Sequence, residues 1–166
     1  MPSRTIVLDH DRLQRKISRI VHQLCEEYHA EKNIVLVGIA PRGLTLAKRL
    51  QVGLKANTDL TIDLVELRLD KDAPLERPAE LTVAPATLRD RVVVLVDDVL
   101  MSGRTLMHAA SFLVQVPLKK LTTVVLVDRR HRTYPIRADI VGLTLSTTLQ
   151  EHISVEFGKQ DLVYLS

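Results

Sequence analysis

The residues best suited to chemistry lie in one segment, Val92–Thr105, which reads VVVLVDDVLMSGRT. A buried strand of β-branched residues delivers two adjacent carboxylates, Asp97 and Asp98, into the open, and Ser102, Gly103, Arg104 and Thr105 follow at the mouth of a helix. Glycine permits close backbone approach, free amides at a helix start attract a phosphate, and Ser102 and Thr105 add hydroxyl donors. Carboxylates beside a phosphate cradle repel its occupant unless something lies between them. A ribose whose hydroxyls face Asp97 and Asp98, with its 5′-phosphate in the cradle, meets that demand, and Mg²⁺ nearby offsets the remaining negative charge. The competing reading is an acidic helix-capping turn.

Two further turns hold polar or charged residues after apolar runs. Gly38–Gly43 reads GIAPRG, and no Lys-Ser/Thr follows the second glycine, so it is not a Walker A loop. Arg42 in such a turn is suited to neutralising an anionic leaving group; a plain strand-to-helix turn with a glycine cap is the alternative. Asp128–Arg137, DRRHRTYPIR, holds four arginines in ten residues and fits a solvated charge run equally well. Asp128 reads as a cap or as a partner for one of these arginines. His10, His29 and His152 are expected to face solvent, and Cys25 to be a small packing residue.

The elements that must position these turns follow from periodicity. Asp9 caps a helix whose stripe is Leu13, Ile17, Ile20, Val21, Leu24 and Tyr28, and Leu44, Ala47, Leu50 and Leu54 form a second stripe. Arg104–Val116 is a third helix, stopped by Pro117. Ile34–Val37, Thr61–Leu69, Arg91–Val96 and Thr122–Val127 read as strands, with shorter ones at Asp139–Leu145 and Asp161–Leu165. Asp70–Pro85, with three prolines and no sustained period, is a long loop. Apolar strands alternating with helices predict an α/β fold with an open, mostly parallel twisted sheet and helices on both faces. In such sheets ligands bind beyond the carboxyl ends of the strands, where the three turns lie.

Val92–Thr105 resembles the phosphoribosyl pyrophosphate signature of type I phosphoribosyltransferases: apolar strand residues, two acids, a short apolar step, then Ser-Gly-Arg-Thr. The wider chain is similar to one branch of that superfamily, the bifunctional pyrimidine operon attenuators and uracil phosphoribosyltransferases. The similarity runs through VLD, SRIVHQL, LVGIAPRGLTLAKRL, VDDVLMSGRT and LVDRRHRTYPIRADIVG, in order, from residue 6 to about residue 145. It implies one phosphoribosyltransferase-like domain over residues 1–166 with a small hood, forming UMP and pyrophosphate from uracil and phosphoribosyl pyrophosphate. By this resemblance the ribose-phosphate site runs from Asp97 and Asp98 through Val99, Leu100 and Met101 to Ser102, Gly103, Arg104 and Thr105. Asp97 and Asp98 also hold Mg²⁺ through water. Ile39, Ala40, Pro41, Arg42 and Gly43 bind pyrophosphate, and Arg129 and Ile153 belong to the hood over the base. Arg42, Asp97 and Asp98 are the catalytic candidates.

Three departures from the resembled pattern stand out. Ala40-Pro41 replaces a usual Lys-Thr, which removes one amide donor and one charge. Met101 stands where purine-handling relatives have aspartate and the uracil branch commonly has tyrosine. Methionine can do no proton chemistry, which argues against hypoxanthine and guanine. Leu69-Asp70-Lys71-Asp72 replaces a Tyr-Arg-Asp-Asp pattern in the loop that closes over the reaction. The branch also binds messenger RNA, and Ser18, Arg19, His22, Arg132 and Arg137 match its RNA surfaces. Leu143, however, replaces a lysine of that surface.

Charge and composition set the outer bounds. Lys plus Arg total 23 and Asp plus Glu total 20, a net charge of +3, modest for an RNA binder. The charge is uneven: residues 1–50 carry 9 basic and 5 acidic groups, residues 51–100 carry 6 and 10, and residues 101–166 carry 8 and 5. One basic face arises if the fold joins the two positive stretches. Tyr and Phe total five and do not cluster, so no stacking platform for single-stranded RNA is visible. RNA binding therefore ranks below nucleotide chemistry. No apolar run spans a membrane and the N-terminus lacks an apolar signal core, so a cytoplasmic protein is expected, and the resemblance implies a homodimer or tetramer. Cys25 is the sole cysteine, which excludes an internal disulfide and a cysteine-based metal knuckle.

Overall fold

The computed structural model describes residues 3–148 and 150–166; Met1, Pro2 and Leu149, the last within the GLTLSTTLQ stretch, lie outside the described residues. Strand β1 (Thr5–Leu8) leads into helix α1 (His10–Glu27), whose first turn is capped by the Asp9 carboxylate accepting from the Arg12 amide at 2.9 Å. The stripe from Leu13 to Leu24 is buried, as its spacing requires. Strand β2 (Asn33–Ile39) and helix α2 (Arg42–Asn57) follow, then strand β3 (Thr61–Arg68). Within the expected long loop, a two-residue strand β4 (Glu80–Leu81) pairs antiparallel with β3, and a short 3₁₀ turn spans Pro85–Leu88. Strand β5 (Val92–Leu100), helix α3 (Arg104–Leu113) and strand β6 (Lys120–Asp128) complete the centre. Strands β7 (Ile140–Thr144), β8 (Ile153–Glu156) and β9 (Leu162–Leu165) end the chain.

The main sheet has the order β4-β3-β2-β5-β6-β7 and is parallel except for β4. Helices α1 and α2 bury one face against Leu36, Val94, Val96 and Leu126, while α3 covers the other through Leu106, Ala109 and Leu113 against Val93, Leu95 and Val125. This is the expected α/β arrangement with both faces covered. A second sheet, β1-β9-β8, is antiparallel and joins the first and last parts of the chain. Its Val155 and Val163 extend the core beneath α1 and α2. None of the helices among the described residues is long and apolar enough to cross a membrane.

Several boundaries differ from the expectation for identifiable reasons. Strand β5 continues through Asp97 and Asp98 to Leu100, because β6 keeps pairing with it there (Asp97 opposite Val125, Leu100 opposite Asp128). The carboxylates are therefore not delivered into the open: Asp97 is 3% exposed and Asp98 7%. Helix α3 stops at Leu113, and tight turns then occupy Phe112–Val116 before Pro117. Strand β8 adds to the sequence expectation: its pairing with β9, from Ile153 opposite Leu165 to Glu156 opposite Leu162, depends on a partner distant from any local pattern. His10 does not simply face solvent; its Nδ1 accepts the Asp161 amide at 3.0 Å, whereas His29 and His152 are exposed.

Candidate functional site

The parallel register brings the ends of β2, β5 and β6 to one edge of the sheet, and their turns interlock through backbone contacts. At the end of β2 the Ala40 amide donates to the Leu67 carbonyl of β3 at 2.9 Å, and the Ala40–Pro41 bond is cis. Helix α2 starts immediately after, so close to β5 that a Cβ on Gly43 would lie 2.6 Å from the Val96 carbonyl oxygen and 3.0 Å from the Asp97 Cα. Only glycine allows that approach, and it sets Arg42 beside the carboxylate pair. Beyond β5, Gly103 adopts φ +87° at the start of α3. A Cβ there would meet Ile136 Cγ2 at 2.7 Å, so the segment after β6 seats directly on this turn. The amides of Thr133 and Tyr134 both donate to the Ser102 carbonyl at 2.9 Å.

A cavity of about 630 Å³ opens between these turns. Arg42, Lys71, Asp97, Asp98, Ser102, Arg104 and Thr105 line it together with Met101, Thr133, Tyr134 and Ile153. The Asp97 carboxylate accepts the Asp98 amide at 2.9 Å and lies 3.5 Å from the Lys71 ammonium. Burial, reinforced by the neighbouring Asp98 charge, pushes Asp97 up to about 8, against a smaller downward pull from Lys71. A pair of buried acids in this condition calls for a cation or for hydroxyl donors. Among the described residues no third metal-ligating side chain joins them, so a bound divalent ion would complete its shell with water and ligand oxygens. That coordination habit suits Mg²⁺. In the same cavity, Ser102 and Thr105 bring their hydroxyls to the start of α3, where the Arg104 amide donates to Ser102 Oγ at 3.2 Å and the following first-turn amides have no preceding helical carbonyls to bond, an arrangement suited to an anion.

Known proteins share both this fold and its sequence. Residues 3–161 match the family model of the phosphoribosyl transferase domain. The chain is 34% identical over 173 residues to the bifunctional protein PyrR of Bacillus subtilis, covering 97% of this chain and 94% of that protein. It is 35% identical over 169 residues to the bifunctional protein PyrR of Haemophilus influenzae, covering 96% and 94%. The chain is a type I phosphoribosyltransferase of the PyrR branch. Among solved structures, the hypoxanthine phosphoribosyltransferase of Trypanosoma cruzi in complex with IMP superposes with a TM-score of 0.76 at 16% identity, over 86% of this chain and 72% of that one. The enzyme of the same name from Staphylococcus aureus gives 0.74 at 19% identity, over 87% and 80%. At such identities these structures testify to the fold alone.

Against this family background, the fold gathers most of the expected site residues and diverts a few. Arg42, Asp97, Asp98, Val99, Met101, Ser102, Arg104, Thr105 and Ile153 share the cavity. The side chains of Ile39 and Leu100 instead point into the core, so only their backbones remain at the site. Arg104 does not hold its guanidinium over the cradle; it donates to the carbonyls of Lys71 and Asp72 at 2.6 and 2.9 Å. Arg129 is 5% exposed and does not line the cavity, because its guanidinium reaches Thr147 Oγ1, the Thr148 carbonyl and Met101 Sδ at 2.5, 2.8 and 3.2 Å. Asp128 is the partner for an arginine that its position suggested: it binds Arg132 at 2.7 Å. Arg132 also donates to the Met101 and Ile136 carbonyls, which turns it into the hood. Arg19 donates to the Val141 and Gly142 carbonyls of β7 while staying exposed, as Ser18, His22 and Arg137 are. Lys71, Asp72, Thr133, Tyr134, Ser154 and Val155 also line the cavity without a role assigned from the sequence; for Lys71 the available signal was a lone cation between two aspartates.

Proposed function

We propose that this chain transfers the phosphoribosyl group of phosphoribosyl pyrophosphate to uracil, releasing pyrophosphate and forming UMP. The observation that carries this reading is that the buried Asp97–Asp98 pair shares one cavity with Ser102, Thr105 and the start of α3, and with Met101. Asp97 and Asp98 accept from the ribose hydroxyls, and Ser102, Thr105 and the α3 amides hold the 5′-phosphate. Arg42, with the backbone from Ile39 to Gly43, receives the pyrophosphate. Mg²⁺ held by Asp97 and Asp98 through water would supply positive charge to the pyrophosphate as it leaves. As the anomeric bond lengthens, positive charge grows on the ribose ring and negative charge on the leaving group, and fixed groups of opposite sign stabilise both. No covalent nucleophile is needed; positioning and electrostatics suffice. Met101, exposed at the cavity wall, offers no proton to a purine imidazole, so the base is a pyrimidine recognised largely through backbone groups. Ile153 supplies an apolar contact, and Arg129 braces the hood behind it.

This reading places the whole chain in one domain with β1, β8 and β9 as part of the hood, acting in the cytoplasm as an isologous dimer or a pair of dimers. RNA binding ranks second. The relatives' bifunctional name and the exposed Ser18, His22 and Arg137 favour it, but Arg132 and Arg19 are already spent within the chain. A thermal-shift panel of phosphoribosyl pyrophosphate, UMP, UTP, GMP and IMP with Mg²⁺ tests the main proposal. The expected outcome is stabilisation by phosphoribosyl pyrophosphate and UMP. Stabilisation by GMP or IMP with none by uridine nucleotides would overturn the uracil assignment.

A further inference from the structure

A second concave surface shares no residue with the cavity described above. Strand β1, the first half of α1 and the end of β7 enclose a groove of about 520 Å³. Its floor is aliphatic: Val7, Leu143 and Leu145 are half-buried and Leu8 is buried. One wall is a row of cations, Arg12, Arg15, Lys16 and Arg19. Their spacing of three or four residues sets them on one face of α1, over a length of about 10 Å. Little within the chain neutralises that row. Among the described residues Arg15 and Lys16 make no ion pair, and Arg12 meets only the Asp9 carboxylate, at 3.9 Å. Arg19 is held by the Gln23 side chain and the two β7 carbonyls, neutral acceptors that leave its charge uncompensated.

These two features together select the occupant. Phosphates of an RNA would satisfy the cations, but the floor offers no polar side chain to a base edge and no aromatic ring for stacking. A bilayer surface is flat, whereas the apolar residues lie recessed below exposed arginines. A second copy applying the same face would set two rows of cations against each other. What fits is a protruding segment with an apolar stripe and acidic residues along one flank. We infer that this groove docks an acidic amphipathic helix of a partner protein. Its leucine-like side chains enter between β1 and β7, and its carboxylates, repeating every three or four residues over two turns, meet the α1 cations. The site stands whatever reaction the cavity performs.

Fluorescence anisotropy with the full chain and labelled helical peptides of roughly 18 residues, long enough to hold a helix, tests this. The probe carries leucines on one stripe with glutamates beside it. One control keeps the composition but scatters the leucines, and a second replaces the glutamates with lysines. The probe is expected to bind at least about tenfold more tightly than either control. Arg15→Glu with Lys16→Glu, two changes on the helix surface, is expected to weaken the probe about tenfold, to leave thermal melting unchanged and to gain binding of the lysine peptide. Leu145→Ala, which trims the floor without altering charge, is expected to weaken the probe about threefold. A probe that fails to bind, or binds no better than the scattered control, overturns the inference. A structured RNA that binds wild type tightly and loses that binding in the charge-reversed variant, where the probe binds neither, assigns the groove to nucleic acid and overturns it as well.

Discussion

Asp97 and Asp98 are costly residues to bury side by side. The folded chain keeps the Asp97 proton up to about pH 8, whereas an unfolded aspartate releases it near 3.9. Between those values the folded state binds more protons than the unfolded one. The contribution of this residue to stability therefore falls as pH rises from about 4 to about 8. Asp97→Asn with Asp98→Asn removes the penalty together with the two negative charges that the proposed function assigns to the ribose hydroxyls and Mg²⁺. The double variant is expected to fold, to form no UMP in a coupled assay, and to melt roughly 2–6 °C above wild type at pH 8. The gap should narrow at pH 5, where the wild-type acid is already neutral. Thermal denaturation at the two pH values checks this, and a gap independent of pH would refute the assignment of the buried proton.

At the level of elements, the site depends on how closely α2 approaches β5. Arg42 opens α2, and Gly43 lets that first turn lie against Val96 and Asp97 without a side chain between. A methyl group at residue 43 would press on the backbone of the strand that carries both carboxylates, and backbone yields less readily than a side-chain tip. Gly43→Ala is expected to cost about 1–3 kcal/mol, the usual range for overpacking a tight contact. Because the clash displaces Asp97 and Arg42 together, turnover should fall further than the stability loss alone explains. Chemical denaturation and initial rates on the same preparation provide the comparison. Wild-type rates in a destabilised Gly43→Ala protein would show that the approach serves packing alone.

Across the whole molecule, one buried carboxylate fastens the β1-β9-β8 sheet to the helices. Asp161 is fully buried and binds Arg49 of α2 twice at 2.9 Å, Gln14 of α1 at 2.7 Å and the Gly158 amide at 2.9 Å. Arg49 also lies over the Phe157 ring at 5.2 Å. Removing the acid leaves a partly buried guanidinium without its counter-charge, so Asp161→Ala is expected to cost about 3–5 kcal/mol. Ile153 lies on β8, so the cavity should loosen on that side. Hydrogen exchange is expected to speed up in β8 and β9 while β2 and β5 stay protected. Uniform acceleration across both sheets would mean that the network supports the entire fold instead.

The alternation of apolar runs with helical stripes was enough to establish the parallel sheet, the three helices and the edge where the cavity opens. It was enough because each of these features follows from local patterning and from the handedness of strand-helix-strand units. The carboxylate pair, Arg42 and the Ser-Gly-Arg-Thr turn were legible for the same reason: each occupies a few consecutive residues. What the tertiary structure decided depends on residues far apart in the chain. The β6 pairing that prolongs β5 buries Asp97 and Asp98, and no local pattern encodes a neighbour's register. Arg19, Arg104, Arg129 and Arg132 all read as surface or ligand-binding cations, yet each guanidinium is taken up by carbonyls or side chains from other elements. Lys71 and Asp161 gain their importance only because folding sets them beside Asp97 and Arg49. Local patterning fixes which elements form, but a charged side chain's role is set by the partner that long-range packing places within about 4 Å of it.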